Sequence, residues 1–156
     1  MVAKSKINKV EKITSEHWRL LLLAYPSKHL VQNYLQMGQV FDIKKDDRPI
    51  AILVLEAVSE RGLEIKNIAV DPRFENQGFA SRLLYFAIQY SKNHKYQQLQ
   101  IGTGSTSFKQ LYLYQKFGFR VTDIKQDFFT KNYKQPIYEN RLLLKDMLVL
   151  TMNTEH

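Results

Sequence analysis

The stretch "DPRFENQGFASRLL", residues 71–84, leads from a proline through one of only six glycines into a run with helical spacing. Small or apolar residues recur every three to four positions, which predicts a helix from about Gly78 to Lys92. The start of such a helix presents unpaired N–H groups and the positive end of the helix dipole. Gly78 lacks a Cβ that would block a close approach, and Asn76 is of a type that tolerates a left-handed backbone. The stretch therefore fits a site for an anionic group such as a pyrophosphate. It also fits an ordinary loop before an amphipathic helix, since one glycine is a weak fingerprint.

The length and composition of the chain are those of a globular protein. Its 156 residues suffice for one hydrophobic core, and we expect a single domain over residues 1–156. Cysteine is missing from the sequence, which excludes disulfides, thiolate metal sites and cysteine nucleophiles. The four histidines lack metal-ligand spacing, so we expect no metal. Because no apolar run is long enough for a membrane span and no signal region is visible, we expect a cytoplasmic protein without membrane contact.

The net charge of +8 is spread along the sequence. Residues 1–48 and 49–120 share the positive excess equally, and residues 121–156 are balanced. Such a field attracts polyanions, whether nucleic acid or a phosphorylated cofactor. Because the lysines are scattered and the sequence shows no nucleic-acid-binding motif, we expect no nucleic-acid partner.

The apolar patterns predict a mixed α/β sheet. The first predicted elements are two helices, from Thr14 or Ser15 to Tyr25 and from Ser27 to Gly38. Three strands follow, at about Gln39–Lys44, Ile50–Val58 and Leu63–Val70, and then the helix after the glycine loop. The remaining elements are a strand at 98–104, a helix at about Ser107–Phe117, a strand at 120–129, an irregular connection at 130–142 and a strand at 144–152. This order predicts a mostly antiparallel sheet with one central parallel pair, flanked by about four helices. The apolar last strand could complete the sheet or pair across a homodimer.

Two blocks of the sequence resemble a known family. The block "NIAVDPRFENQGFASRLL" (residues 67–84) looks like the acetyl-coenzyme-A motif, Q/R-x-x-G-x-G/A, of the Gcn5-related N-acetyltransferase (GNAT) family. The block "LYQKFGF" (residues 113–119) is similar to the late helix of that family. The order of the blocks and the strand between them also agree, and the resemblance covers about Ile50–Phe119.

The resemblance implies a splayed pair of parallel strands that holds acetyl-CoA, as cosubstrate, between Val70 and the "GTG" of residues 102–104. It implies that the Ile68 N–H polarises the thioester and that backbone groups of the next two residues hold the pantetheine arm. The cofactor-binding residues that it implies are Ile68, Ala69, Val70, Asn76, Gln77, Gly78, Phe79, Ala80, Ser81 and Ser107. Glu75 stands where the family usually has Gln or Arg, so this carboxylate must point away from the pyrophosphate or be offset by Arg73 or Arg82.

Acyl transfer from a thioester to an amine needs a polarised carbonyl, a deprotonated amine and a stabilised thiolate. By its place in the family motif, Tyr114 would donate a hydrogen bond to the departing thiolate, and simple packing is the alternative. Glu64 precedes Ile68 by four residues and shares its strand face if no bulge intervenes, which makes Glu64 the candidate base. The alternative is a solvated glutamate beside Lys66. The reserve candidates for the base are Asp127 and Glu139.

The acceptor site should be lined by the loop around Tyr25 and Pro26 and by the stretch Phe128–Asn140. Those segments would form an aromatic pocket with a few acids. The sequence and the resemblance together predict an N-acetyltransferase that moves an acetyl group from acetyl-CoA directly to a primary amine of a small molecule. A protein or peptide amine as acceptor, and a catalytically silent CoA-binding regulatory module, are the alternatives.

Overall fold

A computed structural model describes residues 6–24 and 26–155. The helices are α1 (Ser15–Ala24), α2 (Lys28–Leu35), α3 (Phe79–Asn93), α4 (Phe108–Lys116) and α5 (Phe128–Asn132), and a 3-10 turn covers Pro72–Phe74. The strands are β1 (Ile7–Val10), β2 (Gln39–Lys45), β3 (Arg48–Ala57), β4 (Gly62–Val70), β5 (Gln98–Gly104), β6 (Arg120–Lys125), β7 (Tyr138–Glu139), β8 (Leu142–Leu143) and β9 (Met147–Asn153). Within these ranges no helix is long and apolar enough to cross a membrane.

The described strands form a seven-stranded sheet in the order β1-β2-β3-β4-β5-β9-β6, beside a hairpin of β7 and β8. Every neighbouring pair is antiparallel except β4 and β5, which run parallel in the middle of the sheet. The predicted mixed sheet with one central parallel pair is therefore confirmed, with five helices around it. β9 pairs with β5 on one side and β6 on the other, so the last strand completes the sheet of its own chain. A homodimer stays a prediction.

Helices cover both faces of this sheet because β3 is apolar on both sides. On one face, α3 packs Leu83, Leu84, Ala87 and Ile88 into a core with Leu53, Ile65 and Ile101. On the other face, α1 and α2 pack Leu20, Leu21 and Val31 against Ile52, Val54 and Ala69. The sheet thus separates an α3 face from an α1/α2 face, and both faces matter for the site.

The strand predicted at 120–129 is too long. Asp127 adopts a left-handed backbone, with φ 57°, which ends the extended segment and begins the short helix α5. The segment predicted as irregular holds the rest of α5 and the hairpin of β7 and β8. Strand β1 has no counterpart in the prediction; it exists through its pairing with β2, from Ile7 opposite Ile43 to Val10 opposite Val40.

Candidate active site

The central parallel strands separate halfway along their length. β4 pairs with β5 from Gly62 opposite Gln98 to Ile65 opposite Ile101, and the pairing stops there. Beyond this point β4 continues along β3 to Val70, while β5 continues along β9 to Gly104. The two C-terminal halves therefore enclose a V-shaped gap in the middle of the sheet.

The exposed edge of β4 supplies backbone hydrogen-bonding groups to this gap. The Asp71 N–H donates to the Ile50 carbonyl of β3 at 2.8 Å, which fixes the alternation along the strand. In an antiparallel ladder, every second residue turns its N–H and C=O away from the partner strand. Ile68 and Val70 therefore direct their backbone groups into the gap, whereas Ala69 directs its own toward β3. The backbone groups of Ala69 therefore belong to the ladder with β3, and its contact with the cofactor stays a prediction.

A cradle of unpaired amides lies where β4 leads into α3. Asn76 has φ 61° and Gly78 has φ 89°, both left-handed, and the bond of the Arg82 N–H to the Gly78 carbonyl begins the helical ladder. Within the described residues, the N–H groups of residues 78–81 make no hydrogen bond to the protein. A Cβ built on Gly78 would meet no atom within 4 Å, so the space before the helix is open. These features fit the diphosphate of a coenzyme at the N-terminus of a 15-residue helix.

A cleft of about 370 Å³ joins the amide cradle to the gap. The predicted cofactor residues along its wall are Ile68, Ala69, Val70, Asn76, Gly78, Phe79, Ala80 and Ser81. Gln77 does not line the cleft. Ser107 lies in a neighbouring cavity, where its hydroxyl donates to Glu139 Oε1 at 2.5 Å. Lys109, Gln110 and Tyr112 of α4 also line the cleft, beyond the cofactor-binding residues that the resemblance implies.

Glu75 at the mouth of the cleft has a lysine as its nearby cation. Lys109 Nζ lies 3.8 Å from Glu75 Oε2. Arg73, which we expected to offset this carboxylate, instead bonds Asp71 through its guanidinium at 3.0 and 3.3 Å and through its backbone N–H at 2.9 Å. These bonds from Arg73 hold the pKa of the Asp71 carboxyl well below its usual range. Asp71 thus fixes the start of the loop, while Glu75 and Lys109 bracket the entrance.

Tyr114 stands where the cleft meets the gap. Its side chain is 5% exposed, and it lines both the cofactor cleft and a second cavity of about 270 Å³ inside the gap. Within the described ranges its hydroxyl has no hydrogen-bond partner in the protein. Burial raises the pKa of the Tyr114 phenol, so the hydroxyl keeps its proton at neutral pH. An uncharged donor in this position suits a developing thiolate.

The second cavity leads to a third cavity, of about 360 Å³, on the α1/α2 face. The two share Ile65, Lys66 and Gly102 as walls. The residues around the third cavity are Leu30, Asn33, Tyr34, Glu56, Glu64, Lys125, Phe128, Tyr133, Met147 and Val149. A Cβ on Gly102 would lie 2.7 Å from Met147 Sδ, so any other residue there would require the Met147 side chain to shift. By their shared wall residues, the three cavities lie in succession from the amide cradle, past Tyr114, to an aromatic cup behind the sheet, and we call this succession the route.

A β-bulge changes the place of Glu64. Leu55 lies opposite Ile65, but the next residue of β3, Val54, lies opposite Asn67, so Lys66 is the extra residue. The bulge breaks the simple alternation, so the condition for a shared face is not met, and Glu64 and Ile68 lie on opposite faces. Glu64 borders the third cavity, where its carboxylate accepts from Gln100 Nε2 and pairs with Lys66 Nζ. Lys66 also lies 3.7 Å from Glu56 Oε2.

The reserve bases differ in position. Glu139 lines the second cavity and accepts hydrogen bonds from the Thr106 and Ser107 hydroxyls. Asp127 lines none of these three cavities and begins α5. Of the loop expected to border the acceptor site, Pro26 lines the second cavity, and Tyr25 lies outside the described residues.

Comparison with known proteins decides the family. The sequence pattern of the Acetyltransferase (GNAT) family matches residues 8–119. The chain belongs to the GNAT family. It is similar to a GNAT acetyltransferase from Elizabethkingia anophelis, solved with acetyl-CoA bound, at 45% identity and a TM-score of 0.91, over 95% of this chain and 97% of the other.

Two further comparisons agree with this membership. A Bacillus subtilis acetyltransferase solved in complex with CoA is 37% identical, with a TM-score of 0.91, over 96% of this chain and 99% of the other. A Bacillus subtilis protein described as an uncharacterized N-acetyltransferase is 37% identical over 96% of this chain and 97% of its own length. The chain is therefore an acetyl-CoA-dependent N-acetyltransferase with a GNAT fold, and acetyl-CoA is its cosubstrate.

Proposed function

We propose that this GNAT enzyme acetylates the primary amine of a small molecule. The observation that carries the proposal is the third cavity, a cup of about 360 Å³ at the far end of the route from the amide cradle. Its volume is in the range of small-molecule sites. Its walls combine aromatic and aliphatic side chains with two carboxylates, Glu56 and Glu64, and two lysines, Lys66 and Lys125. Such a cup suits an amine with an apolar body.

In this proposal, the coenzyme occupies the cleft with its diphosphate on the amides of residues 78–81. The pantetheine arm lies in the gap along the Ile68 and Val70 backbone groups, in the manner of an added strand. The Ile68 N–H donates to the thioester oxygen, where negative charge develops in the transition state. This arrangement puts the reacting carbonyl between Tyr114 and the acceptor cup.

In this proposal the acetyl group passes directly from the coenzyme to the amine, and the chain has no cysteine that could carry it as a thioester. The amine nitrogen attacks the thioester carbonyl, the carbon–nitrogen bond forms, and the carbon–sulfur bond breaks with its electron pair on sulfur. Tyr114 donates a hydrogen bond to that sulfur. Complete proton transfer from Tyr114 is unfavourable because burial raises its pKa further above that of a thiol.

The attacking nitrogen must lose a proton, and Glu64 is our candidate to accept it. Its carboxylate lies beside the acceptor cup and is held by Gln100 and Lys66. The bulge at Lys66 removes Glu64 from the face of Ile68 but leaves it on the side from which the amine would approach. Because the carboxylate is already bonded, we expect the proton to reach it through a water molecule.

A screen of amines with acetyl-CoA tests the proposal, with release of free thiol as the readout. Small primary amines with apolar bodies should release thiol at a rate that saturates with amine concentration. Peptides with free N-termini or lysines should give no more than the background rate of hydrolysis. Turnover with peptides and none with small amines would overturn the proposed acceptor. Thermal stabilisation by CoA, measured alongside, reports on the cofactor site without requiring turnover.

A further inference from the structure

Tyr34 of α2 belongs to none of the motifs that the sequence displays. Its ring lines the acceptor cup, and its hydroxyl accepts a hydrogen bond from Asn67 Nδ2 at 2.7 Å. Asn67 is 2% exposed and lies on β4 directly after the bulge at Lys66. The other proton of Asn67 Nδ2 goes to the Leu21 carbonyl of α1 at 2.9 Å. The carboxamide therefore joins a strand, the first helix and the phenol of the second helix.

The direction of these hydrogen bonds follows from chemistry. A backbone carbonyl can only accept, so the Asn67 atom beside the Leu21 oxygen must be the nitrogen. Turning the carboxamide around would put two oxygens against each other. The orientation holds although Asn67 Oδ1 is buried and has no partner among the described residues. Since Nδ2 donates to it, the Tyr34 oxygen is the acceptor of that bond.

The Tyr34 hydroxyl must therefore donate its own proton to an acceptor other than Asn67. Within residues 6–24 and 26–155 no protein group accepts from this hydroxyl, and the ring borders the acceptor cup. Burial raises the pKa of Tyr34 to about 12, so the phenol stays protonated over the range in which the enzyme would work. Asn67 thus turns Tyr34 into a fixed hydrogen-bond donor at the wall of the cup.

Resting on the proposed function, we infer that Tyr34 selects acceptor amines that also carry a carbonyl oxygen, as amino amides and amino acids do. The Tyr34 O–H donates to that oxygen and positions the substrate, while its amine points toward the gap. Tyr34 is a specificity-determining residue in this view. Asn67 is a positioning residue that acts through the phenol.

Equilibrium binding to the protein saturated with CoA tests this inference without requiring turnover. β-Alaninamide and isoamylamine are a matched pair of ligands, because two methyl groups replace the amide oxygen and nitrogen in the same shape. The quantity to compare is the ratio of their dissociation constants, measured by calorimetry for each variant. Removing the hydroxyl in Tyr34→Phe should shift this ratio by roughly tenfold toward isoamylamine, the value of one hydrogen bond.

Asn67→Asp supplies the second arm, because it keeps the phenol and reverses the bond. A carboxylate accepts the Tyr34 proton, which then no longer points into the cup, so the ratio should shift in the same direction as in Tyr34→Phe. A merely structural role for Asn67 would lower the melting temperature without moving the ratio. If Asn67→Asp does not fold, the Tyr34→Phe measurement decides alone.

The outcomes separate this inference from the proposed function. An unchanged ratio in Tyr34→Phe, or equally weak binding of both ligands to the unaltered protein, overturns the role of Tyr34. Loss of CoA affinity in Tyr34→Phe would place the phenol in the cofactor site and also overturn it. If β-alaninamide binds selectively but no amine releases thiol, the role of Tyr34 in selecting the ligand is supported and transfer to small amines is rejected.

Discussion

Ile65 and Ile101 are the last residues that β4 and β5 pair, and the site begins at this point. On the N-terminal side of this pair, the two strands are held together by their hydrogen-bond ladder and by the core under α3. On the C-terminal side, the strands separate because β4 stays paired with β3 and β5 stays paired with β9. The gap is thus a consequence of strand pairing, and it exposes the backbone edge of β4 without requiring a flexible loop.

The amide cradle predicts a specific effect of Gly78→Ala. Gly78 has φ 89°, which costs an alanine roughly 1–2 kcal/mol, and the added methyl group would project into the open space before α3. We expect CoA affinity to fall by roughly tenfold, which calorimetry would measure.

Gly118→Ala is the matched control for Gly78→Ala. Gly118 also has a left-handed backbone, with φ 108°, but it does not line the cleft. This variant should lose a similar amount of stability and keep its CoA affinity. Equal CoA affinities for the two variants would contradict the role given to the cradle.

The acidic side chain at the cleft entrance predicts a gain of affinity. Glu75 lines the cleft near the cradle and is only partly neutralised by Lys109 at 3.8 Å. Because it is half exposed, the repulsion of a diphosphate is screened by solvent, and we expect Glu75→Gln to tighten CoA binding by roughly two- to fivefold. The gain should shrink as salt rises, since the screening length falls to about 3 Å at 1 M. Weaker CoA binding in Glu75→Gln would show that the carboxylate contributes to the site.

The sequence was sufficient for those parts of the fold that depend on local patterns. The amphipathic spacing after Gly78 predicted α3, and the apolar run Ile50–Val58 predicted the strand β3. Asn76 and Gly78 both have the left-handed backbones that their residue types favour. These features depend on residues close together in the chain, which is why the sequence pattern predicted them.

The features that the sequence did not predict depend on distant pairing. β1 is a short segment of mixed polarity, stabilised by β2, and nothing local distinguishes it from a loop. The sequence did not predict the bulge at Lys66, because the order of apolar and polar residues in "LEIKNIAV" is compatible with a regular strand and with a bulged one. That one extra residue moved Glu64 to the other face. The contact of Asn67 with Tyr34 joins residues 33 positions apart, and no spacing rule could have found it.

The ion pairs of Asp71 predict how stability depends on pH. Arg73 and Arg19 bond this buried carboxylate, so its pKa in the folded protein lies below the unfolded value of about 3.9. A lowered folded pKa means that Asp71 stabilises the protein above about pH 4 and that this contribution fades as the pH falls toward the folded pKa. Asp71→Asn should reduce the free energy of unfolding by roughly 1–3 kcal/mol at neutral pH. Urea melts at several pH values should show the difference from the unaltered protein narrowing below pH 4, and a constant difference would contradict this account.

The assignment of the base predicts a selective loss of rate. If Glu64 takes the amine proton, Glu64→Gln should lower kcat by roughly a hundredfold or more at saturating amine. Glu56→Gln is the matched control, because Glu56 lies opposite Glu64 on the neighbouring strand and shares Lys66 with it. The control should lose much less of its kcat. Equal kcat values for Glu64→Gln and Glu56→Gln would transfer the role to Glu139 or to water.

The role of Tyr114 predicts a loss of rate that does not depend on pH. Burial raises the pKa of its phenol, so the hydroxyl stays protonated and donates at every pH from 6 to 9. Tyr114→Phe should therefore lower kcat by roughly tenfold or more, with CoA affinity changed by less than about twofold. Tyr85→Phe is the control for removing a tyrosine hydroxyl from a helix, because Tyr85 of α3 is 62% exposed and lines none of the three cavities. If Tyr114→Phe turned over at the unaltered rate, the hydroxyl would have only a packing role. If the loss appeared only at high pH, proton transfer rather than a fixed hydrogen bond would be the step that Tyr114 serves.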